Sequence, residues 1–108
     1  MRRVFLESPY AGDVARNVDY ARRAMLDCLK RGEAPFASHL LYTQALDDSD
    51  PAQRELGTKA GFVFRWGCDA TVFYMDHGMS SGMSHGLRHC ETIGHRVEYR
   101  YLDEEAGK

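Results

Sequence analysis

A glycine- and serine-rich segment, residues 78–86, carries the residue types best suited to holding a ligand. It reads Gly-Met-Ser-Ser-Gly-Met-Ser-His-Gly. Glycines let the backbone approach a ligand closely, serines offer hydroxyl groups, and a following helix presents free N–H groups at its start. We expect Gly78, Ser80, Ser81, Gly82 and Met83 to hold a phosphate or a ribose. The segment matches neither the P-loop nor the GxGxxG pattern, and the alternative is a turn in which Ser80 or Ser81 caps a helix.

A second candidate segment follows the first apolar run of the chain. Ser8, Pro9 and Tyr10 come directly after this run, and Asn17 lies in the amphipathic stretch that follows. Tyr10 offers a ring that can stack on a base or a ribose, so these four residues could form the wall opposite the glycine-rich segment. The alternative is that they are polar groups on a solvated surface.

The third candidate segment, residues 38–46, combines His39 and Tyr42 with Gln44 and apolar residues. These side chains could form a lid or a wall of a binding site. A packed connector between two elements explains the same composition, and it is the preferred interpretation.

Two acidic residues are candidates for acid–base chemistry. Glu7 ends the first apolar run, residues 3–7, and Asp76 directly follows the third, residues 69–75. A carboxylate at such a position can bind ribose hydroxyls or activate water for hydrolysis of an N-glycoside. Spacing alone does not choose between them, although Asp76 is preferred because it follows directly on a strand that should be buried.

Metal and cofactor chemistry find little support in the sequence. His85 and His89 share a helix face, but no HExxH pattern is present, and His77 lies outside that helix. The three cysteines form no CxxC pair and are expected to be buried free thiols in a reducing cytoplasm. They are Cys28, Cys68 and Cys90. We therefore predict no metal site and no cofactor.

The elements that must position these residues alternate along the chain. The expected strands are residues 3–7, 34–38, 69–75 and 97–102. The expected helices begin after Asp13, after Asp50 and at Ser80 or Ser81, and Leu56, Ala60 and Val63 continue one face of the second helix. Strand–helix alternation predicts a small three-layer α/β domain, Rossmann-like or flavodoxin-like, with about four mainly parallel strands and helices on both faces. Ligands bind such sheets beyond the carboxyl ends of the strands.

Size and charge limit the classes of function. The 108 residues fit one domain, residues 1–108, with a frayed acidic tail over 103–108. A net charge of -2 argues against binding to nucleic acid. No apolar run approaches the length of a membrane span. We expect a cytoplasmic protein whose Trp66 lies in the core or in a subunit interface.

Beyond these patterns, the sequence resembles short phage- and bacteria-associated proteins of unknown function (DUF4406-like) in the nucleoside 2-deoxyribosyltransferase-like superfamily. The matching stretches include residues 4–10, 39–44, 46–48, 54–57 and 81–83, and together the resemblance spans residues 3–102. It implies a pocket for a nucleoside or nucleotide and a homodimer or higher homo-oligomer whose partner completes the site.

In the transferases of this superfamily, a glutamate on the helix after the third strand attacks the anomeric carbon. The resemblance places Gly86 at that position, and glycine has no nucleophile. The primary hypothesis is therefore a protein that binds, sequesters or senses a nucleoside or nucleotide. The alternatives are an N-glycosidase or deoxyribosyltransferase that uses a relocated acid, Asp76 or Glu7, and a homo-oligomeric interaction module without a ligand.

Overall fold

The chain folds around one sheet of four parallel strands, as expected. The computed structural model describes residues 1–103. The strands are β1 (Arg2–Glu7), β2 (Glu33–Phe36), β3 (Ala70–Tyr74) and β4 (Val97–Arg100). Their order in the sheet is β2-β1-β3-β4. Because the chain leaves β1 toward β2 and later returns to β3, the order reverses between β1 and β3, which is where α/β sheets bind ligands.

Helices connect the strands. They are α1 (Val14–Lys30), α2 (Ser38–Leu41), α3 (Pro51–Trp66) and α4 (Ser81–Ile93), with a 3-10 turn at Tyr42–Gln44. The predicted caps are confirmed at Asp13, Asp50 and Ser80, whose side chains accept from backbone N–H groups of the first turn. Gly94 ends α4 in the left-handed conformation at φ 67. The third candidate segment, residues 38–46, for which no helix was expected, contains α2 and the 3-10 turn.

Alternation along the strands divides the core into two sides. Val4 and Leu6 of β1, with Val72 and Tyr74 of β3, pack against α1. The intervening residues face α3 and α4, as Phe73 packs with Met83 and Cys90 of α4. Since side chains alternate between faces, Glu7 at the end of β1 projects to the side of α3 and α4.

Helix α3 differs from the sequence-based expectation in the face that it buries. Leu56 and Val63 are 59% and 71% exposed, and Trp66 is 67% exposed. Trp66 is therefore not a core residue. The inward face carries Gly61 and Arg65, which are buried. The glycines of the inward face leave space between α3 and the sheet. The large apolar residues of α3 lie on its outward face.

Asp76 lies on the α1 side of the sheet. Its carboxylate accepts hydrogen bonds from Tyr20 Oη at 2.5 Å and from the backbone N–H groups of Leu102 and Asp103, both at 2.9 Å. These bonds hold the pKa of Asp76 below its usual value against the opposing effect of burial. Asp76 thus ties α1 and the segment after β4 to the end of β3. The predicted frayed tail, apart from Asp103, lies outside the described residues. Among the described residues, no helix is long and apolar enough to span a membrane.

Replacing Asp76 with alanine should lower the free energy of unfolding by about 1–3 kcal/mol, because Tyr20 and two backbone N–H groups lose their acceptor. The folded protein depresses the pKa of Asp76, so its contribution is present at neutral pH and is lost as the pH falls through that lowered pKa. Urea unfolding at neutral and acidic pH measures both effects. Asp19→Asn, an exposed change on α1, is the control and should be neutral. A neutral Asp76→Ala variant would contradict the structural role.

Candidate functional site

A cavity of about 660 Å³ opens between α3 and α4, beyond the carboxyl end of β1. Its volume lies within the range of about 300–1,000 Å³ usual for small-molecule sites. Strand β1 supplies its floor, α3 and α4 its two walls, and the segment from α2 to the start of α3 its rim. The lining residues are Phe5, Glu7, Ser38, His39, Asp48, Ser49, Pro51, Arg54, Glu55, Gly57, Thr58, Lys59, Gly61, Phe62, Arg65, Ser81, Gly82, His85 and Gly86.

Glu7 is the acidic group at the floor of this cavity. Only 8% of its side chain is exposed, and its Oε1 atom lies 3.4 Å from Nη2 of Arg65. Its Oε2 atom is buried without a hydrogen-bond partner among the described residues. Burial raises the pKa of Glu7 to about 7, and the charge of Arg65 opposes this increase. The carboxyl group therefore exchanges a proton near neutral pH.

Arg65 is fully buried beneath the cavity and connects four elements. Its Nε atom donates to Thr71 Oγ1 of β3 at 3.1 Å, and Nη1 lies 3.2 Å from the carbonyl oxygen of Gly86 on α4. Nη1 also lies 3.0 Å from Nδ1 of His89. The guanidinium packs over the ring of Phe5 at 4.3 Å from the ring centroid. Its Nη2 atom has no hydrogen bond among the described residues, so only the ion pair with Glu7 engages it.

Gly86 is required by the position of Glu7. A Cβ atom at this position would overlap Oε2 of Glu7 and would lie 2.8 Å from its Cδ atom. It would also lie 3.3 Å from Nη2 of Arg65. The glutamate side chain therefore fills the space in which a side chain of residue 86 would begin.

Aromatic and imidazole rings pack between α3 and α4, and those of Phe62 and His85 line the cavity. His89 stacks on Phe62 with ring centroids 3.8 Å apart, and His85 lies 5.4 Å from the same ring. Burial, followed by the charge of Arg65, lowers the pKa of His89. The two histidines share a helix face, as expected, but contact an aromatic ring. The described residues contain no group of three or more His, Cys, Asp or Glu side chains able to hold a metal ion.

The structure brings several of the sequence-predicted site residues together. Glu7, His39, Ser81 and Gly82 line the main cavity. Tyr42 lines a smaller adjoining cavity of about 50 Å³, to which His39 also contributes. The segment of His39 therefore contributes to the lining of both cavities, and its role in binding stays a prediction.

Other predicted site residues are not among the described residues that line the main cavity. Tyr10 stacks on His39 at 5.2 Å, and Asn17 donates to the carbonyl oxygens of Tyr10 and Ala11. Ser80 caps α4 and Met83 packs in the core. The other members of this set are Ser8, which is buried, Pro9, Gly78, which adopts a positive φ of 78, and Asp76, which faces α1.

Sequence reasoning missed Arg65 and the inward face of α3. The available signal was a row of residues spaced four apart, Gly57, Gly61 and Arg65. Such spacing places all three on one helix face. A Cβ at Gly61 would lie 3.4 Å from Phe5, so this glycine allows β1 and α3 to approach closely.

Comparison with solved structures places this architecture in a known class. A 2-deoxyribosyltransferase from the psychrotolerant bacterium Bacillus psychrosaccharolyticus superposes with a TM-score of 0.72 at 15% identity, over 92% of this chain and 72% of that one. The chain therefore has a deoxyribosyltransferase-like fold. The family described as a domain of unknown function (DUF7768) matches residues 2–100, and the chain belongs to this family. No curated protein matches the sequence. The narrower DUF4406-like assignment stays a prediction.

The contact between Gly86 and Glu7 can be tested by a double-mutant cycle. Gly86→Ala should destabilise the protein by about 1–3 kcal/mol through overpacking, although alanine favours helices. In a Glu7→Ala background the same change should cost far less, because its neighbour has gone. Chemical denaturation gives the coupling energy, which we expect to reach about 0.5–3 kcal/mol.

The matched control for this cycle is Gly82→Ala on the same helix. A Cβ there would meet only Ser80 Oγ, at 4.0 Å, so the change should be neutral or stabilising. Equal effects of Gly86→Ala with and without Glu7 would contradict the close contact.

Proposed function

We propose that this protein binds a nucleoside or nucleotide, which it sequesters or senses, in the cavity between α3 and α4. The observation that carries this proposal is the cavity of about 660 Å³, with an incompletely paired buried carboxyl group at its floor. Buried polar atoms are costly unless they find a partner. A ligand that donates a hydrogen bond to Glu7 would supply one.

The position of the cavity supports this proposal. It lies at the end of β1, next to the point where the strand order reverses, which is the usual ligand site of open α/β sheets. The likeness to a solved 2-deoxyribosyltransferase is a likeness of fold, and it makes nucleosides the first ligands to test.

The polar groups around the cavity also suit such a ligand. Ser81 and Gly82 place the first turn of α4 at its edge, and the first N–H groups of a helix lack partners within that helix. Arg54 adds positive charge to the wall formed by α3, where Lys59 is paired with Glu55 at 3.2 Å. A ribose or phosphate can hydrogen-bond to these groups while a base contacts the apolar surface of Phe5 and Phe62.

Thermal unfolding should reveal the ligand. We expect at least one member of a panel of ribo- and deoxyribonucleosides, their phosphates, NAD and ADP-ribose to raise the melting temperature. A ligand at one hundred times its dissociation constant stabilises the folded state by about 2.7 kcal/mol. Calorimetric titration then measures its affinity. The absence of any shift at millimolar ligand, with the protein folded, would contradict the proposal.

A pair of valine substitutions on α4 locates the site. Gly82→Val should abolish the shift, because the side chain enters the cavity edge and meets only Ser80 nearby. Thr92→Val introduces the same side chain at an exposed position near the other end of α4 and should leave the shift unchanged. Retained binding by a folded Gly82→Val variant would rule out this location.

The outward face of α3 favours a second function, self-association. Leu56, Val63 and Trp66 are each more than half exposed on one side of this helix. Several exposed large apolar residues on one side of a helix are typical of interaction sites in soluble proteins. We propose that two copies of the chain pack through this face, which places the partner beside the cavity wall that α3 forms.

Light scattering coupled to gel filtration tests this second function. The unmodified protein should elute as a dimer, and Val63→Glu should shift it to the monomer, because a charge would be buried at the interface. Leu26→Glu is the matched control, since Leu26 is 50% exposed on α1. A monomer at all concentrations of the unmodified protein would contradict the proposed dimer.

A further inference from the structure

Strand β1 and helix α4 compete for one volume at the cavity floor. The backbone of α4 passes this point at Gly86, and β1 sends the Glu7 side chain into the space that a side chain of residue 86 would need. The carboxyl group at the cavity floor therefore comes from β1. It lies against Gly86, the position of α4 that has no side chain. The arrangement needs a glutamate at one position and a glycine at the other.

We infer that Glu7 is the catalytic carboxylate of this protein and acts on the anomeric carbon of an N-glycoside bound in the cavity. This inference rests on the binding part of the proposed function, and it replaces sequestration or sensing with turnover of the bound nucleoside. The glycosidic bond is the bond of a nucleoside that a carboxylate can break, since the anomeric carbon becomes electrophilic as the base departs.

The step balances with water as the second reactant. The ionised Glu7 carboxylate attacks C1′, the C1′–O bond forms and the C1′–N bond breaks. The electron pair of the C1′–N bond goes to the base, which takes a proton from solvent. Water then attacks C1′, loses its proton to solvent and returns the bonding electrons to Glu7. The products are the free base and the free sugar, and a second base in place of water would give transfer.

The surroundings of Glu7 support this role. Arg65 holds the carboxyl group by an ion pair at 3.4 Å, and hydrogen bonds to β3 and α4 fix the guanidinium in turn. Other titratable groups face this pair: Cys90 and His89 from α4, with His95 after that helix. With a pKa of about 7, a substantial fraction of Glu7 is ionised near neutral pH.

The decisive experiment measures base release by chromatography over a panel of ribo- and 2′-deoxyribonucleosides. The unmodified protein should release base from at least one of them, and Glu7→Gln should reduce that rate by about 100-fold or more. Mass spectrometry of the quenched reaction should show a glycosyl adduct on Glu7. Glu91→Gln removes an exposed acid from α4 and should leave the rate unchanged.

The pH dependence of the rate distinguishes a chemical role from a structural one. Because the ionised form attacks, the rate should rise with pH and reach half its maximum near pH 7, the pKa of Glu7. The change in stability caused by Glu7→Gln is measured separately by denaturation. A rate that is flat across this pH range would contradict attack by Glu7.

A swap variant tests the geometry directly. Glu7→Ala combined with Gly86→Glu moves the carboxyl group from β1 to α4 and frees the space for it. The folded double variant should recover base release relative to Glu7→Ala alone. A folded swap variant no more active than Glu7→Ala would overturn the inference that the two positions supply one carboxylate.

The outcomes separate this inference from the proposed function. A nucleoside that binds, by thermal shift, without any base release would overturn the catalytic role of Glu7 and leave the binding function intact. Failure of every nucleoside and nucleotide to bind would remove both. Base release that survives in Glu7→Gln would show that another group acts on the glycoside.

Discussion

The ion pair between Glu7 and Arg65 constrains four elements of secondary structure at once. It joins the end of β1 to α3, and the remaining hydrogen bonds of Arg65 reach β3 and α4. A buried arginine is costly unless its charge and its donors are engaged. Glu7 supplies the charge, but one of its oxygens stays unpartnered, so the pair is electrostatically incomplete. Burial raises the pKa of the carboxyl group against the opposing charge of Arg65, and the unpartnered oxygen is one that a ligand could satisfy.

The positions of the elements followed from local sequence signals. Asp13 and Asp50 marked the starts of two helices through their capping side chains. The apolar run before Asp76 predicted a strand buried on both faces, and every residue of β3 is buried. These signals are readable because they depend on residues that are neighbours along the chain.

The site was predictable only in part, since its geometry depends on distant residues. Glu7 and Asp76 were both candidate acids at strand ends, and Asp76 was preferred. Side chains alternate between the two faces of the sheet. In the structure Glu7 points toward α3 and α4, and Asp76 points toward Tyr20 on α1. The importance of Gly86 became visible only when its distance to Glu7 was known. The predicted buried face of α3 was wrong for a different reason. Its large apolar residues are exposed, and its glycines lie on the inward face.

Competition between residues 7 and 86 for one volume also limits how this sequence can change over evolutionary time. Two bulky side chains cannot occupy the floor together, so a large residue at one position requires a small residue at the other. A lineage that exchanges the two must pass through an ancestor that is small at both. That ancestor carries no carboxylate at the floor, so the buried charge of Arg65 loses its partner. An unpaired buried charge is costly, and residues 7 and 86 are therefore constrained to change together.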